Sequence, residues 1–399
     1  MTAFAYPQDR TCPYQPSPGY QELGRTGALH RVELWNGSGI WMVTGHAQGR
    51  ALLADARLSA DRSRPDFPVV LPRFEAPIFK PIAIIGFDPP VHDIHRRLLA
   101  PDFGLKRVRE LRGHVEELTH RLVDRMVAAG SSADLLTAYA LPIPSTVISD
   151  LLGVPYQDHE FFEEKTVGLL QAKDADGAEA AGRALWDYLD GLITAAEREP
   201  GGGPGLLGRL AGEVGGPDLS REDLLRIALA LLIGGHDTTS QMIALGVVTL
   251  LEHPDQLAAF LAADQAGRAA AVDELLRMVS VTDVSGVRVA TEDLEIDGQL
   301  IRAGEGVLVS SSMANRDPAV YPDPYVLDVR RPGTGRQHLA FGFGIHQCLG
   351  QNLARLELEA AFATLFERLP GLRLAVPADE LSARRGGTMQ GVHALPVEW

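Results

Sequence analysis

The fold is decided by one stretch of sequence, Phe341-Gly342-Phe343-Gly344-Ile345-His346-Gln347-Cys348-Leu349-Gly350. It holds one of the two cysteines in 399 residues and surrounds that sulfur with glycines. Apolar residues at helical spacing follow, so Cys348 is predicted to stand at the N-terminus of a helix. Free N–H groups and the helix dipole stabilise an anion there, which lowers the pKa of a thiol and favours the thiolate.

The simpler interpretation of Cys348 is a buried core residue, because free cysteine is among the most buried residue types. The spacing Phe341-x-x-Gly344-x-x-x-Cys348-x-Gly350 argues against it. This pattern resembles the haem-binding loop of the cytochrome P450 family. The resemblance implies haem b (iron protoporphyrin IX) as the cofactor. It also implies Cys348 as the axial ligand of the iron, with Phe341 and Gly344 beside the cofactor.

The composition sets limits on partners and location. The formal net charge is −15, which makes nucleic acid an unsuitable partner. Two cysteines give no disulfide framework. No run of about 18 apolar residues indicates a membrane span, and no signal peptide is recognisable at the N-terminus. We therefore expect a cytoplasmic protein without a membrane or nucleic-acid partner.

Helical patterns dominate the chain, so the predicted fold class is mainly α with small β-sheets, in a single domain over residues 1–399. Helices are expected at about 90–280 and 349–369. The longest pattern, 221–252, begins with a Ser220–Asp223 capping box. At 1.5 Å per residue it spans roughly 48 Å. By resemblance, the haem lies between this long distal helix and the proximal cysteine loop.

The β-rich parts are expected at about 25–60 and 285–310, together with a C-terminal hairpin. The last five residues, 395–399, are predicted to form an edge strand. Residues 60–90 contain seven prolines and little periodicity, which predicts a long, partly ordered loop.

The long helix changes character at its centre, Gly234-Gly235-His236-Asp237-Thr238-Thr239. Two glycines in a helix interior cost roughly 1 kcal/mol each, and an acid with hydroxyls interrupts an apolar stretch. An exposed face or a tolerated kink is the simpler interpretation. The alternative is that Gly234 lets a flat group approach. The segment resembles the family's oxygen-activating segment, which implies that Asp237 and Thr238 handle protons beside dioxygen.

The remaining motifs are weak alone and gain meaning from the resemblance. Glu274-x-x-Arg277 is a common helix pair, but it resembles the family's buried brace of the haem loop. The family's third partner, an arginine, is replaced here by Val326, so Arg330, Arg331 or His338 is a candidate. The haem propionates need cations or donors. The positions that match the family's propionate contacts are His92, Arg96, Arg288 and His346.

The resemblance implies a monooxygenase that hydroxylates or epoxidises an apolar small molecule, such as a secondary metabolite. Ala230, Ile233, Val284 and Met389 are predicted to line its pocket, with the loop 78–87. O2 is the co-substrate, and electrons come from a ferredoxin and its reductase. The basic run 96–112 is the predicted docking surface.

Other functions use the same cysteine loop. Related proteins catalyse oxidative coupling or ring closure without oxygen transfer. A peroxide-driven enzyme and a non-catalytic haem protein that binds or senses gas are further alternatives. The Asp237–Thr238 pair argues against both, because neither function needs a relay of protons.

Overall fold

A long helix, α9 (Arg221–Leu251), crosses the centre of the computed structural model, which describes residues 4–12, 14–199, 201–333 and 337–399. It begins as predicted, with reciprocal bonds between Ser220 and Asp223 that cap its free N–H groups. Most of its side chains are buried, because other helices pack along it. A helix that is apolar on nearly all sides is stable only inside such a bundle.

The other α-helices of the described ranges follow in chain order: α1 (Pro18–Thr26), α2 (His46–Leu53), α3 (Val91–Phe103), α4 (Leu105–Ala129), α5 (Pro142–Leu152), α6 (His159–Leu170), α7 (Ala175–Arg198), α8 (Gly205–Ala211), α10 (Pro254–Leu261), α11 (Gln265–Val279), α12 (Ser311–Ala314) and α13 (Gln351–Arg368). α5, α11 and α13 contact α9, and α4 packs along α13. None of the described helices is both long and apolar enough to cross a membrane.

The β-strands are β1 (Phe4–Ala5), β2 (Leu29–Glu33), β3 (Gly39–Val43), β4 (Leu58–Ser59), β5 (Ser132–Asp134), β6 (Val284–Ala290), β7 (Leu294–Ile296), β8 (Gln299–Ile301), β9 (Gly306–Ser310), β10 (Arg373–Leu374) and β11 (Pro396–Glu398). Six of them form one sheet in the order β1-β2-β3-β9-β6-β4. β2 and β3 form an antiparallel hairpin within the predicted β-rich part 25–60, with Val32 opposite Ile40. β7 and β8 form a separate hairpin.

Two expectations about the fold are wrong in detail. β11 is the central strand of the sheet β10-β11-β5, not an edge strand. Pro396 can stand there because it is the first residue of the strand, where a missing N–H does least harm. The segment 60–90 is more ordered than predicted: two short 3₁₀ helices, Pro72–Glu75 and Pro77–Phe79, hold apolar side chains in the core.

Candidate active site

A cavity of about 670 Å³ lies between the middle of α9 and the loop that carries Cys348. The four residues predicted to line a substrate pocket, Ala230, Ile233, Val284 and Met389, all border it. Most of the predicted loop 78–87 borders it too. The wall is largely apolar, which is the usual character of a site for an apolar small molecule.

The loop before α13 brings Cys348 to this cavity. The Cys348 N–H donates a hydrogen bond of 2.8 Å to the carbonyl oxygen of Phe341, which closes the loop on itself. Gly342 and Gly344 have φ angles of +69° and +77°, a region that favours glycine. A Cβ on Gly344 would also lie 2.5 Å from the carbonyl oxygen of Leu53. The two glycines are therefore required by the course of the backbone.

The charge of the Cys348 sulfur depends on two opposing effects. Burial raises the pKa of the thiol, whereas hydrogen bonds from the backbone of Gly350 and Gln351, with Arg96 and Arg355 nearby, lower it. Burial is the larger effect, so the expectation that the helix N-terminus alone lowers this pKa is wrong. Cys348 lies deep in the fold, and its side chain is exposed because it borders the cavity. The donors around it suit an anionic ligand.

The predicted propionate contacts lie together on one side of the cavity. The rings of His92 and His346 are 4.2 Å apart, centroid to centroid. Arg96 Nη1 donates to the carbonyl oxygen of Gln347 at 2.8 Å. Arg288 is buried, and the loss of hydration lowers the pKa of its guanidinium to about 10. Burial, with Arg288, His92 and Arg96 nearby, lowers the pKa of His346 to about 3.

Arg62 joins this cationic cluster, and the sequence analysis missed it. It borders the cavity, and burial lowers the pKa of its guanidinium to about 10. It stands in the proline-rich segment 60–90, for which we predicted only a long, partly ordered loop. Its neighbours Arg64 and Arg57 look equivalent in sequence, but both are paired with aspartates. The pairing of each arginine depends on tertiary contacts, which the sequence did not indicate.

The cluster fits a cofactor with two carboxylates. In the described ranges, Arg62, Arg96 and Arg288 form no ion pair with an acid, and Nε2 of buried His92 has no hydrogen-bond partner. Cations withdrawn from water without an acidic partner are costly, and here Arg288 is buried while Arg62 and Arg96 are half-buried, so their arrangement calls for an anion. The cavity beside them also contains the Cys348 sulfur. The residues present therefore fit an iron porphyrin.

The two glycines of α9 have different surroundings. A Cβ on Gly234 would meet open space, whereas a Cβ on Gly235 would lie 2.6 Å from Cγ1 of Ile148 on α5. Gly234 thus leaves the helix backbone bare towards the cavity, and Gly235 lets α5 approach. The Thr238 hydroxyl borders the cavity and donates to the carbonyl oxygen of Gly234 at 2.9 Å.

Asp237 lies outside the cavity wall, unlike its neighbour Thr238. Its two carboxylate oxygens accept bonds of 2.7 and 2.9 Å from the Nη1 and Nη2 atoms of Arg384. Both side chains are buried, at 3% and 9% exposure. A buried carboxylate needs a cationic partner, so a partner was predictable from Asp237. Arg384 itself, 147 residues away, was not.

Glu357 on α13 is a second acid that the sequence analysis missed. It borders the cavity at 2% exposure, and its Oε2 atom has no hydrogen-bond partner. Burial raises the pKa of this carboxyl to about 8, so it is mostly protonated at neutral pH. The sequence did indicate that Glu357 is buried, because it is one helical turn after Leu353 on the apolar face of α13.

The predicted brace is present as a buried cluster. Nε and Nη2 of Arg277 each donate to the Glu274 carboxylate at 2.7 Å, with both side chains fully buried. Arg331, one of the three candidates, is the third member, with Nε 3.1 Å from Glu274 Oε1. Arg277 Nη1 also donates to the carbonyl oxygens of Asn315 and Pro324. The cluster thus ties α11 to the coil that precedes the cysteine loop.

His338 belongs to a neighbouring cluster and not to the brace. Its Nε2 lies 3.1 Å from Asp273, which also accepts a bond of 2.7 Å from Nε of Arg355. The Arg355 guanidinium lies 4.6 Å from the ring centroid of Phe341. This second cluster joins α11, α13 and the start of the cysteine loop, and so helps to fix the loop in place.

The comparisons with known proteins agree with this geometry. The family model described as Cytochrome P450 matches residues 269–370. The vitamin D3 dihydroxylase of Streptomyces griseolus is 52% identical over 397 residues, covering 99% of this chain and 97% of the relative. Pentalenic acid synthase of Streptomyces avermitilis is 50% identical, covering 99% and 97%. The crystal structure of CYP105D6 has a TM-score of 0.89 at 47% identity, covering 100% and 99%.

Proposed function

Because the chain belongs to the cytochrome P450 family, we propose that the cavity beside Cys348 is the active site of its monooxygenase reaction. Proteins of this family bind haem b, and the relatives are oxygen-inserting oxidoreductases. One observation carries the assignment of the site: Cys348, Thr238 and four members of the cationic cluster, Arg62, Arg96, Arg288 and His346, all border one cavity. Oxidative coupling without oxygen transfer is not favoured by the relatives.

Each side chain has a separate task in this proposal. Cys348 holds the iron through its sulfur, and Phe341 and Gly344 shape the loop that presents it. Arg62, Arg96 and Arg288 neutralise the two carboxylates of the haem, and His92 and His346 offer ring nitrogens that hydrogen-bond to them. When bound, the haem iron supplies the activation of O2, with one oxygen atom entering the substrate and the other leaving as water.

The chain's own polar groups handle the protons. The Thr238 hydroxyl is the polar side chain of α9 placed next to the bare backbone at Gly234. It can donate a hydrogen bond into the cavity in exchange for the one it gives to the Gly234 carbonyl oxygen. Asp237 is the adjacent acid that takes protons from solvent and passes them on. The apolar wall restricts water to this route.

The substrate is proposed to be an apolar small molecule of secondary-metabolite size. The wall residues Ala230, Ile233, Val284 and Met389 offer contact area and no charge. Two relatives carry names that refer to vitamin D3 and pentalenic acid, both built on hydrocarbon frameworks. Vitamin D3 is therefore the first probe for this chain, and hydroxylation of an unactivated C–H bond is the expected reaction.

The electron donor is proposed to be a ferredoxin that docks beside α4. The family requires a redox partner, and the cysteine side of the fold is where α4 packs on α13. Several cations of the run 96–112 are already paired: Arg97 with Asp218, Arg107 with Glu110, and Arg112 with Glu359.

Lys106 and Arg109 on α4 are exposed, and neither forms an ion pair within the described ranges. We call these two residues the α4 basic surface. A positive patch on an acidic protein can steer an acidic partner to one face. This patch lies next to α13, which begins beside Cys348, so the donor would dock on the cysteine side of the cofactor.

Labelled oxygen tests the proposed reaction. The holoenzyme is incubated with vitamin D3, a ferredoxin, its reductase, and ¹⁸O2 in unlabelled water. We expect a hydroxylated product carrying one ¹⁸O atom, with the second atom in water. Product without the label, or a coupled product with no added oxygen, would overturn monooxygenation. If vitamin D3 causes no haem spectral shift, a library of apolar natural products takes its place in the same assay.

A further inference from the structure

The C-terminal hairpin (residues 383–392) connects the cavity with α9. Its two arms pair through Ala383 and Val392, and the Arg384 N–H donates to the Gly391 carbonyl oxygen at 2.9 Å. Thr388 and Met389, near its tip, border the cavity. A substrate in the cavity would therefore touch the hairpin directly.

The base of the same hairpin is attached to α9 at two points. Arg384 holds the carboxylate of Asp237 with two hydrogen bonds. The Val392 N–H donates to Oε1 of Gln241, one turn further along α9, at 2.8 Å.

The tip is also paired with the segment before β6, where the Asp283 N–H donates to the Thr388 carbonyl oxygen at 3.0 Å and the Gln390 N–H to the Val281 carbonyl oxygen at 2.7 Å. Because the hairpin is short, a displacement at Met389 that loosens this pairing would be transmitted to both attachments on α9.

The Asp237–Arg384 pair keeps the acid out of the cavity. Both carboxylate oxygens face the guanidinium, while Thr238, the next residue of the helix, borders the cavity. A carboxylate bound in this way has little freedom to exchange protons with the cavity. Asp237 must leave Arg384, at least transiently, before it can act as a relay.

We propose that Arg384 is a positioning residue that holds Asp237 away from the cavity until a substrate displaces the hairpin at Met389. The ion pair then opens, and Asp237 turns towards Thr238, takes a proton from solvent and passes it on. Each proton delivered is replaced from water, so the carboxylate is regenerated. This inference rests on the proposed function of Asp237 and Thr238, and it makes proton supply conditional on substrate.

The fate of O2 without substrate tests the idea. Two electrons and two protons convert O2 to peroxide, whereas four of each convert it to water, and both electron supplies come from the ferredoxin. In the substrate-free wild-type holoenzyme the acid is held back, so most consumed O2 should appear as peroxide. In Arg384→Met the acid is free, and we expect at least a threefold larger share of O2 to appear as water.

Three further variants make this result specific. Arg384→Lys keeps a cation opposite Asp237 and should restore most of the wild-type ratio. Arg385→Met alters the neighbouring exposed arginine and should leave the ratio unchanged. Arg384→Met combined with Asp237→Asn should return to peroxide, because the freed acid is gone. If the substitution only loosened the hairpin, a larger share of the consumed O2 should appear as peroxide, which is the opposite of the expected shift.

A second readout does not depend on turnover. Hydrogen–deuterium exchange of residues 383–392 should be faster in Arg384→Met than in the wild-type holoenzyme, and a cavity-filling azole, 4-phenylimidazole, should accelerate it in the wild type. An unchanged water share in Arg384→Met would overturn the inference. If the water share is unchanged in Arg384→Met but Thr238→Ala still diverts electrons to peroxide, only the role of Arg384 is wrong and the proposed function stands.

Discussion

The hydroxyl of Thr238 donates a 2.9 Å hydrogen bond to the carbonyl oxygen of Gly234, one turn earlier in α9 and at the cavity wall. This bond satisfies the hydroxyl donor within the helix when no other acceptor is present. The hydroxyl is thus both at the cavity and free to change partners, which is what a proton-handling alcohol requires.

Replacement of Thr238 by alanine should uncouple the enzyme. Electrons would still be consumed, but the product formed per electron should fall at least fivefold, with peroxide in its place. Thr238→Ser should keep most of the coupling. The matched control is Thr249→Ala, which removes the same kind of bond, Oγ1 to the Leu245 carbonyl oxygen at 2.7 Å, away from the cavity. Equal coupling in Thr238→Ala and wild type would refute the role of the hydroxyl.

Removal of Arg277 should destabilise the fold and weaken haem retention. Arg277→Met leaves Glu274 as a fully buried carboxylate with fewer donors, a change that typically costs about 3–5 kcal/mol. We expect lower haem content and a lower unfolding temperature. Arg25→Met breaks an exposed i, i+3 pair with Glu22 and should change stability by less than about 1 kcal/mol. Similar losses in both variants would contradict a special role for the brace.

Glu357 should make the protein less stable as the pH rises. Its carboxyl has a folded-state pKa of about 8, above its usual 4.5. The stability linked to its protonated form is therefore complete below the unfolded pKa and is lost as the pH rises towards 8. The loss is roughly 1 kcal/mol per pH unit within that window.

Glu357→Gln should remove this loss, because the amide does not ionise. The gain in unfolding temperature over wild type should grow between pH 5 and pH 8. The exposed Glu295→Gln is the control and should show no such trend. A gain that is the same at every pH would show that Glu357 ionises no differently in the folded protein.

Reversal of the charge on the α4 basic surface should slow electron transfer from ferredoxin to the haem. Lys106→Glu together with Arg109→Glu should reduce the rate of haem reduction by ferredoxin several-fold at low ionic strength. Added salt should shrink the difference, because charges are screened beyond about 10 Å at 0.1 M. Substrate affinity should stay within twofold, since neither residue borders the cavity.

A charge-matched control separates docking from net charge. Lys173→Glu with Arg198→Glu makes the same charge change just before α7 and at its last residue, away from α4. This pair should leave the reduction rate unchanged. If both double variants slow reduction equally, the donor responds to total charge and does not dock at α4.

The sequence indicated those parts of the structure that depend on local pattern. The Ser220–Asp223 cap and the glycine-bearing cysteine loop follow from residues close together in the chain. Pairings between distant residues do not, because many cations were equally available to Asp237 and only tertiary packing selects Arg384. The direction of the Cys348 pKa was mispredicted for a related reason: burial is a property of the whole fold.

The most direct test of the whole account is the absorption spectrum of the reduced, CO-bound holoprotein. With Cys348 as the axial thiolate, the Soret band should show the red shift that distinguishes thiolate from histidine ligation. Cys348→His should abolish that shift, and the exposed Arg385→Met should keep it. A native, haem-replete wild-type protein with a histidine-type CO spectrum would contradict the assignment of Cys348 and the mechanism built on it.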